Sequence, residues 1–226
     1  MKNFSISPNE MAKSFWQNRN LVKELVKREV LGRYRGSLMG LLWSFLTPMF
    51  MLAVYTFVFS FVFNARWDTG SDSKIEFALV LFAGLMVFNL FSECINRAPS
   101  LILSNVNYVK KVVFPLEILP VVALGSALFH LLASLCVWIF FYTVFIGLPH
   151  PSSLLLPLVL LPLVMLIIGL SSLLASLGVY LRDVSQLIGT LTTALIFLSP
   201  IFYPASALPE KFQRLLLLNP LSPVIE

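Results

Sequence analysis

Charge is scarce in this chain. Asp, Glu, Lys and Arg supply 12% of the 226 residues, about half the share that a soluble domain carries. That excludes a chain able to cover its whole surface with ionised side chains. Not one of these four residue types occurs between positions 36 and 65, or between 118 and 180. A membrane crossing needs roughly 20 predominantly apolar residues, and both runs exceed it. The alternation of apolar and polar residues over about 10 positions that marks an outer-membrane strand is missing too. There are two cysteines, Cys94 and Cys136, both within apolar stretches, and they read as free thiols and not as a disulfide. Histidine is limited to His130 and His150. The patterns G-x-x-x-x-G-K-[ST], H-E-x-x-H, C-x-x-C and G-x-S-x-G do not occur. The chain therefore has no phosphate-cradling loop of its own, and no catalytic residue, metal or cofactor is expected on it. No cleavable leader is expected, because the first long apolar run starts only near Leu38, behind a polar stretch without a small-residue exit.

What is present is a membrane protein's inventory: 58% hydrophobic residues, including 20 Phe. Five spans are predicted, at about 38–63, 75–94, 116–146, 154–180 and 185–202, the last ending at Ser199-Pro200, which makes the fold an all-α integral membrane bundle. Residues 1–35 form a cytoplasmic or interfacial segment, and 36–226 form one membrane domain. Ser7, Pro8 and Glu10 match the start of a helix with a capping box. Beyond it Phe15, Val22, Val26 and Val30 share one face, and Lys23, Glu24, Lys27 and Arg28 the other. An amphipathic helix of this kind is expected to lie along the membrane surface. The net charge of +5 does not point to nucleic acid, because half of the sixteen basic residues precede Ser37. Counting the first segment, the 95–115 connection and Arg182 on one side gives twelve Lys and Arg, against four on the other (Arg66, Lys74, Lys211 and Arg214). By the positive-inside rule the N-terminus is cytoplasmic.

Only Glu93 and His130 offer intramembrane ionisable chemistry, and each reads most simply as a polar residue satisfied within the bundle. Uphill transport would then draw its energy from outside the membrane. Asp68, Asp72 and Glu76 form the one local carboxylate cluster, but they stand among Thr, Gly and Ser and read as a solvated loop. Gly32, Gly36 and Gly40, spaced by four, suggest a tight corner between the first helix and the first span. Trp43, Phe50, Phe57 and Phe61 recur along that span as a possible aromatic stripe. The connection from Ser104 to Pro115 is short, basic and partly apolar, suited either to anchoring topology or to presenting a short helix to a soluble partner.

Four blocks carry a resemblance. They are Arg33-Tyr34-Arg35-Gly36-Ser37-Leu38-Met39-Gly40-Leu41-Leu42-Trp43 with Pro48 beyond; Tyr108-Val109-Lys110-Lys111-Val112-Val113-Phe114-Pro115-Leu116-Glu117-Ile118-Leu119-Pro120; Leu177-Gly178-Val179-Tyr180-Leu181-Arg182-Asp183-Val184; and Ser199-Pro200-Ile201-Phe202-Tyr203-Pro204. In this order the chain resembles the permeases of type 2 ABC exporters, in the branch that exports O-antigen, capsule or teichoic acid across the inner membrane. The resemblance implies a homodimer, each copy paired with a separate ABC ATP-binding subunit that holds the ATP and Mg, and a lipid-linked polysaccharide as cargo. It implies that 105–114, with Asn105, Asn107, Tyr108, Lys110, Lys111 and Phe114, is the helix that docks on the ATPase. It implies a gate helix around 22–31 where substrate arrives, with Lys27, Arg28, Arg33, Tyr34 and Arg35 as gate or entry residues and Arg33 and Arg35 at headgroup level. Residues 205–222 would be a pair of short periplasmic gate elements, with Pro209 among them and Tyr203 and Pro204 just before as further gate residues. The family has six spans, so a last one is expected beyond this sequence. Two rival expectations are a permease of the same type for a small molecule or drug, and a membrane-embedded enzyme of lipid-linked sugar metabolism.

Overall fold

The computed structural model describes residues 8–58, 74–111, 114–203 and 219–225 together with Pro209, Gln213 and Leu216; side chains are described at all of these except 8–12, 74, 109–111 and 154. Among the described residues every regular element is helical. In order these are α1 (Pro8–Gln17), α2 (Arg19–Arg33), α3 (Trp43–Tyr55, approached through a 3₁₀ turn at Gly40–Leu42), α4 (Lys74–Arg97), α5 (Leu101–Ser104), α6 (Val106–Lys111), α7 (Ile118–Phe145), α8 (Leu156–Tyr180), α9 (Val184–Leu198) and α10 (Ser222–Ile225). Ser7, Phe61, Asp68, Asp72 and Pro204 lie outside the described residues.

Among the described residues, four segments are long and apolar enough to cross a bilayer: Gly40–Val58, Ile75–Ser104, Ile118–Phe145 and Pro151–Tyr180. These correspond to the first four predicted spans. The fifth, expected to end at Ser199-Pro200, is α9, a helix of 15 residues. At 1.5 Å per residue it is about 22 Å long, short of a hydrocarbon core of about 30 Å. Ser199-Pro200 ends it, as Pro disfavours helical conformation in the residue before it.

Helix α4 is apolar on almost every side and is accordingly the buried centre. Phe77, Leu81, Phe82, Leu85, Phe88, Phe91 and Ile95 are all buried, and α4 touches α3, α7, α8, α9 and α10. Trp138 of α7 donates its indole N–H to the Leu79 carbonyl of α4 at 2.9 Å. Thr192 of α9 donates to Oδ1 of Asn96 on α4 at 2.8 Å. In lipid, helices associate through packing and polar contacts of this sort, not through the hydrophobic effect. The closest backbone approach joins α8 to the Ala98–Ser100 turn, where a Cβ on Gly178 would stand 2.0 Å from the Pro99 carbonyl oxygen. A Cβ on Gly125 of α7 would meet Val26 of α2 at 2.6 Å.

The amphipathic N-terminal segment is two helices and not one, broken at Asn18, whose amide donates back to the Ser14 carbonyl at 2.9 Å. Its apolar face packs on protein: Leu25 is buried with Ile118 and Val122 at the base of α7, and Phe15, Val22 and Val26 close around them. Ser14 adds a hydrogen bond to the Glu117 carboxylate at 2.8 Å. The corner after α2 departs from the expected glycine packing. Nothing lies within 4 Å of a Cβ built on Gly32, Gly36 or Gly40, and Gly36 and Gly40 have φ of +87° and +51°. These two glycines serve the turn through backbone conformation that other residues seldom adopt, not close helix approach.

Candidate functional site

Where α2, α3, α4 and α7 converge they enclose a cavity of about 590 Å³. Its wall on α3 comes from Trp43, Ser44, Thr47, Pro48, Met51 and Tyr55, and the opposite wall includes Asn89, Ser92, Glu93 and Asn96 of α4 with His130 of α7. Pro48 has no N–H, which leaves the Ser44 carbonyl without its helical donor on this stretch of α3. Buried Ser44 gives its hydroxyl proton to the Leu41 carbonyl at 2.7 Å. The cavity is thus amphiphilic, with ring faces and aliphatic groups beside amide and hydroxyl groups.

An ionic network crosses its rim. Arg33 Nη1 donates to Glu93 Oε1 at 2.7 Å and lies 2.8 Å from His130 Nδ1. His130 Nδ1 is itself 3.1 Å from Glu93 Oε2. A neutral imidazole can accept from Arg33 through Nδ1 or, protonated there, donate to Glu93, but not both at once. Arg97 pairs with Glu29 of α2 at 2.5 Å and stands 3.8 Å from Glu93. Glu93 and His130 are largely shielded, whereas 49% of the Arg33 side chain is accessible. Beside them, burial raises the Tyr34 phenol above its ordinary pKa, against the lowering influence of the Arg33 charge. The polar residues that stood alone in the sequence therefore satisfy one another, and they fasten α2 to two spans.

The expected site residues fall in three places. Arg33, Tyr34 and Trp43 line the cavity. Arg28, Tyr108 and Phe114 gather below it: Arg28 Nη2 donates to the Tyr108 hydroxyl, with its guanidinium 5.6 Å from the ring centroid, and Tyr108 stacks on Phe114 at 4.6 Å. Asn105 ends α5, its amide donating to the Leu101 carbonyl at 2.9 Å. Lys110 and Lys111 complete α6, and Asn107, Lys27 and Arg35 are exposed. The third place is the far end of the bundle, where Tyr203 donates to the Phe197 carbonyl at 3.0 Å and Pro209 is exposed. The aromatic stripe is not one continuous wall. Phe50 is 67% exposed, and Phe57 lines a separate apolar groove with Met49, Leu52, Leu79, Phe141 and Phe145. Sequence reasoning missed the partners Glu29 and Arg97, and the cavity residues Asn89 and Asn96. The i, i+4 spacing of Glu93 and Arg97 was the one available signal.

The ABC-2 type transporter family pattern matches residues 20–226. The O-antigen export system permease protein RfbA of Myxococcus xanthus is 29% identical over 213 residues, covering 93% of this chain and 79% of its own. A protein of the same name from Klebsiella pneumoniae is 25% identical, covering 91% and 77%. The polysialic acid transport protein KpsM of Escherichia coli is 28% identical, covering 91% and 78%.

Proposed function

Because the chain belongs to the ABC-2 type transporter family, we propose that it is the membrane permease of an ABC exporter for a lipid-linked polysaccharide, O-antigen foremost. It works as a homodimer in the bacterial inner membrane with its N-terminus in the cytoplasm, where the excess of Lys and Arg belongs. It is a transport subunit and not an enzyme, and ATP hydrolysis resides in a separate subunit. The cargo follows from the O-antigen and polysialic acid permeases that resemble it.

The cavity under α2 is the observation that carries the reading. A sugar ring has an apolar face and a rim of hydroxyls, which calls for ring stacking beside convergent polar groups. Trp43 and Tyr55 supply ring faces, and Asn89, Asn96, Ser92 and Thr47 supply donors and acceptors. The charged groups on this rim neutralise one another, which argues against an ion-coupled relay and for force applied from the cytosol. The α6 helix with Lys110 and Lys111 is the docking element for that force.

The test is export in vesicles holding the permease and its ATP-binding partner. Delivery of lipid-linked glycan should require ATP, and delivery on a proton or sodium gradient without nucleotide or partner refutes the proposal. Trp43→Ala should lower export by about fivefold or more, the scale of losing an anchoring aromatic contact. Phe50→Ala, which lies outside the cavity, should stay within about twofold on the same scale.

A further inference from the structure

Helix α2 carries three polar attachments within two turns, each to a different part of the molecule. Arg28 holds Tyr108 of α6 by a hydrogen bond and a cation–ring contact. Glu29 holds Arg97 at the end of α4. Arg33 holds Glu93 and His130 on the cavity rim. Against these stand the apolar contacts of Leu25 and Val26 with the base of α7. Packed apolar faces can slide over one another by small steps, whereas a directed hydrogen bond under a stacked ring moves with its partner. A second cavity of about 210 Å³, lined by Leu25, Arg28, Glu29, Arg97, Ser104 and Tyr108, lies between α2 and the α5–α6 segment. It leaves α6 room to approach without steric overlap.

From this arrangement we infer that α2 is a lever, with Arg28–Tyr108 as its input and Arg33–Glu93–His130 as its output. Displacement of α6 is passed through Tyr108 to Arg28 and along α2. At the other end it withdraws Arg33 from Glu93 and His130 and opens the cavity rim. Arg28 does not line the cargo cavity; it is a positioning residue acting through Arg33. The inference rests on the proposal above that α6 docks on the ATPase.

The test uses the complete transporter in vesicles and reads glycan delivered per ATP hydrolysed. Arg28→Ala should still hydrolyse ATP with its partner bound, while the ratio falls by at least about fivefold, the lower end of typical coupling between sites. Arg28→Lys, which keeps a cation over the ring, should recover part of the loss. Tyr108→Phe removes one oxygen and keeps the stack on Phe114, and it should lower the ratio in the same direction. A merely structural contact would reduce hydrolysis and export together and leave the ratio unchanged, and that result overturns the lever. Should Arg28→Ala fail to accumulate, the Tyr108→Phe ratio alone decides. The docking reading is tested separately by Lys110→Glu with Lys111→Glu, which should release the ATPase on purification. If the ATPase stays bound to that variant, the docking reading itself fails, whatever Arg28 does.

Discussion

Gly178→Ala is expected to be among the most damaging single-methyl changes in the chain. The added carbon would sit 2.0 Å from the Pro99 carbonyl oxygen. That oxygen belongs to backbone in a short 3₁₀ turn, so relief requires α8 to move away from α4 and its extension. Overpacking of a filled core typically costs about 1–3 kcal/mol, and rigid backbone on both sides puts this case at or above the top of that range. The measure is thermal unfolding of the purified protein in lipid nanodiscs. Gly169→Ala on the same helix is the control. Nothing lies within 4 Å of its Cβ, and alanine should hold or raise stability there, since it favours a helix interior by about 1 kcal/mol over glycine. Equal unfolding temperatures for the two variants would refute the close approach.

Glu93→Gln should loosen the N-terminal helices without dissolving the bundle. Glu93 is the anion facing Arg33, Arg97 and His130, and glutamine keeps its size while removing the charge. Deleting one partner of a fully buried pair costs about 3–5 kcal/mol. Half of the Arg33 side chain meets solvent, so screening reduces the expected loss to about 1–2 kcal/mol. Hydrogen exchange locates it: amides of α2 should exchange faster, while those of α7 above Gly125 hold. Unaltered protection across Arg19–Arg33 would mean that the apolar contacts alone secure α2. Glu93→Asp, with a carboxylate drawn back by one methylene, should fall between the two.

Much of the architecture was legible because the bilayer is a strict solvent. Four spans were readable from apolar length, although the second helical segment runs on to Ser104, past the end near Cys94 expected from the sequence. The break at Asn18 was not, because the helical spacing of Phe15, Val22 and Val26 continues across it. The end of α9 was legible, since Ser199-Pro200 marks it although the apolar run continues through Ile201 and Phe202. The cluster of Arg33, Glu93 and His130 assembles from three helices 60 and 97 positions apart, and no local pattern encodes such pairing. The glycines divide in the same way. Gly36 and Gly40 were noticed for their spacing yet act through backbone φ, whereas Gly125 and Gly178 carry the close contacts from inside apolar runs that conceal them.

The abbreviated α9 has a consequence for the lipid around it. Where the helix ends at Leu198, the chain continues as turns through Ser199 and Ile201, both fully shielded. Asn219 reaches across to donate to the Leu198 carbonyl at 3.4 Å and to Ser199 Oγ at 2.9 Å, so a carbonyl at the end of the helix finds a protein partner, as hydrocarbon requires. A helix of about 22 Å beside a hydrocarbon core of about 30 Å is a hydrophobic mismatch, of the kind taken up by local thinning, by snorkelling flanking residues or by helix association. The shielded turn after Leu198 carries this flank onward through protein, so its polar groups are kept from the acyl chains whichever way the bilayer adjusts.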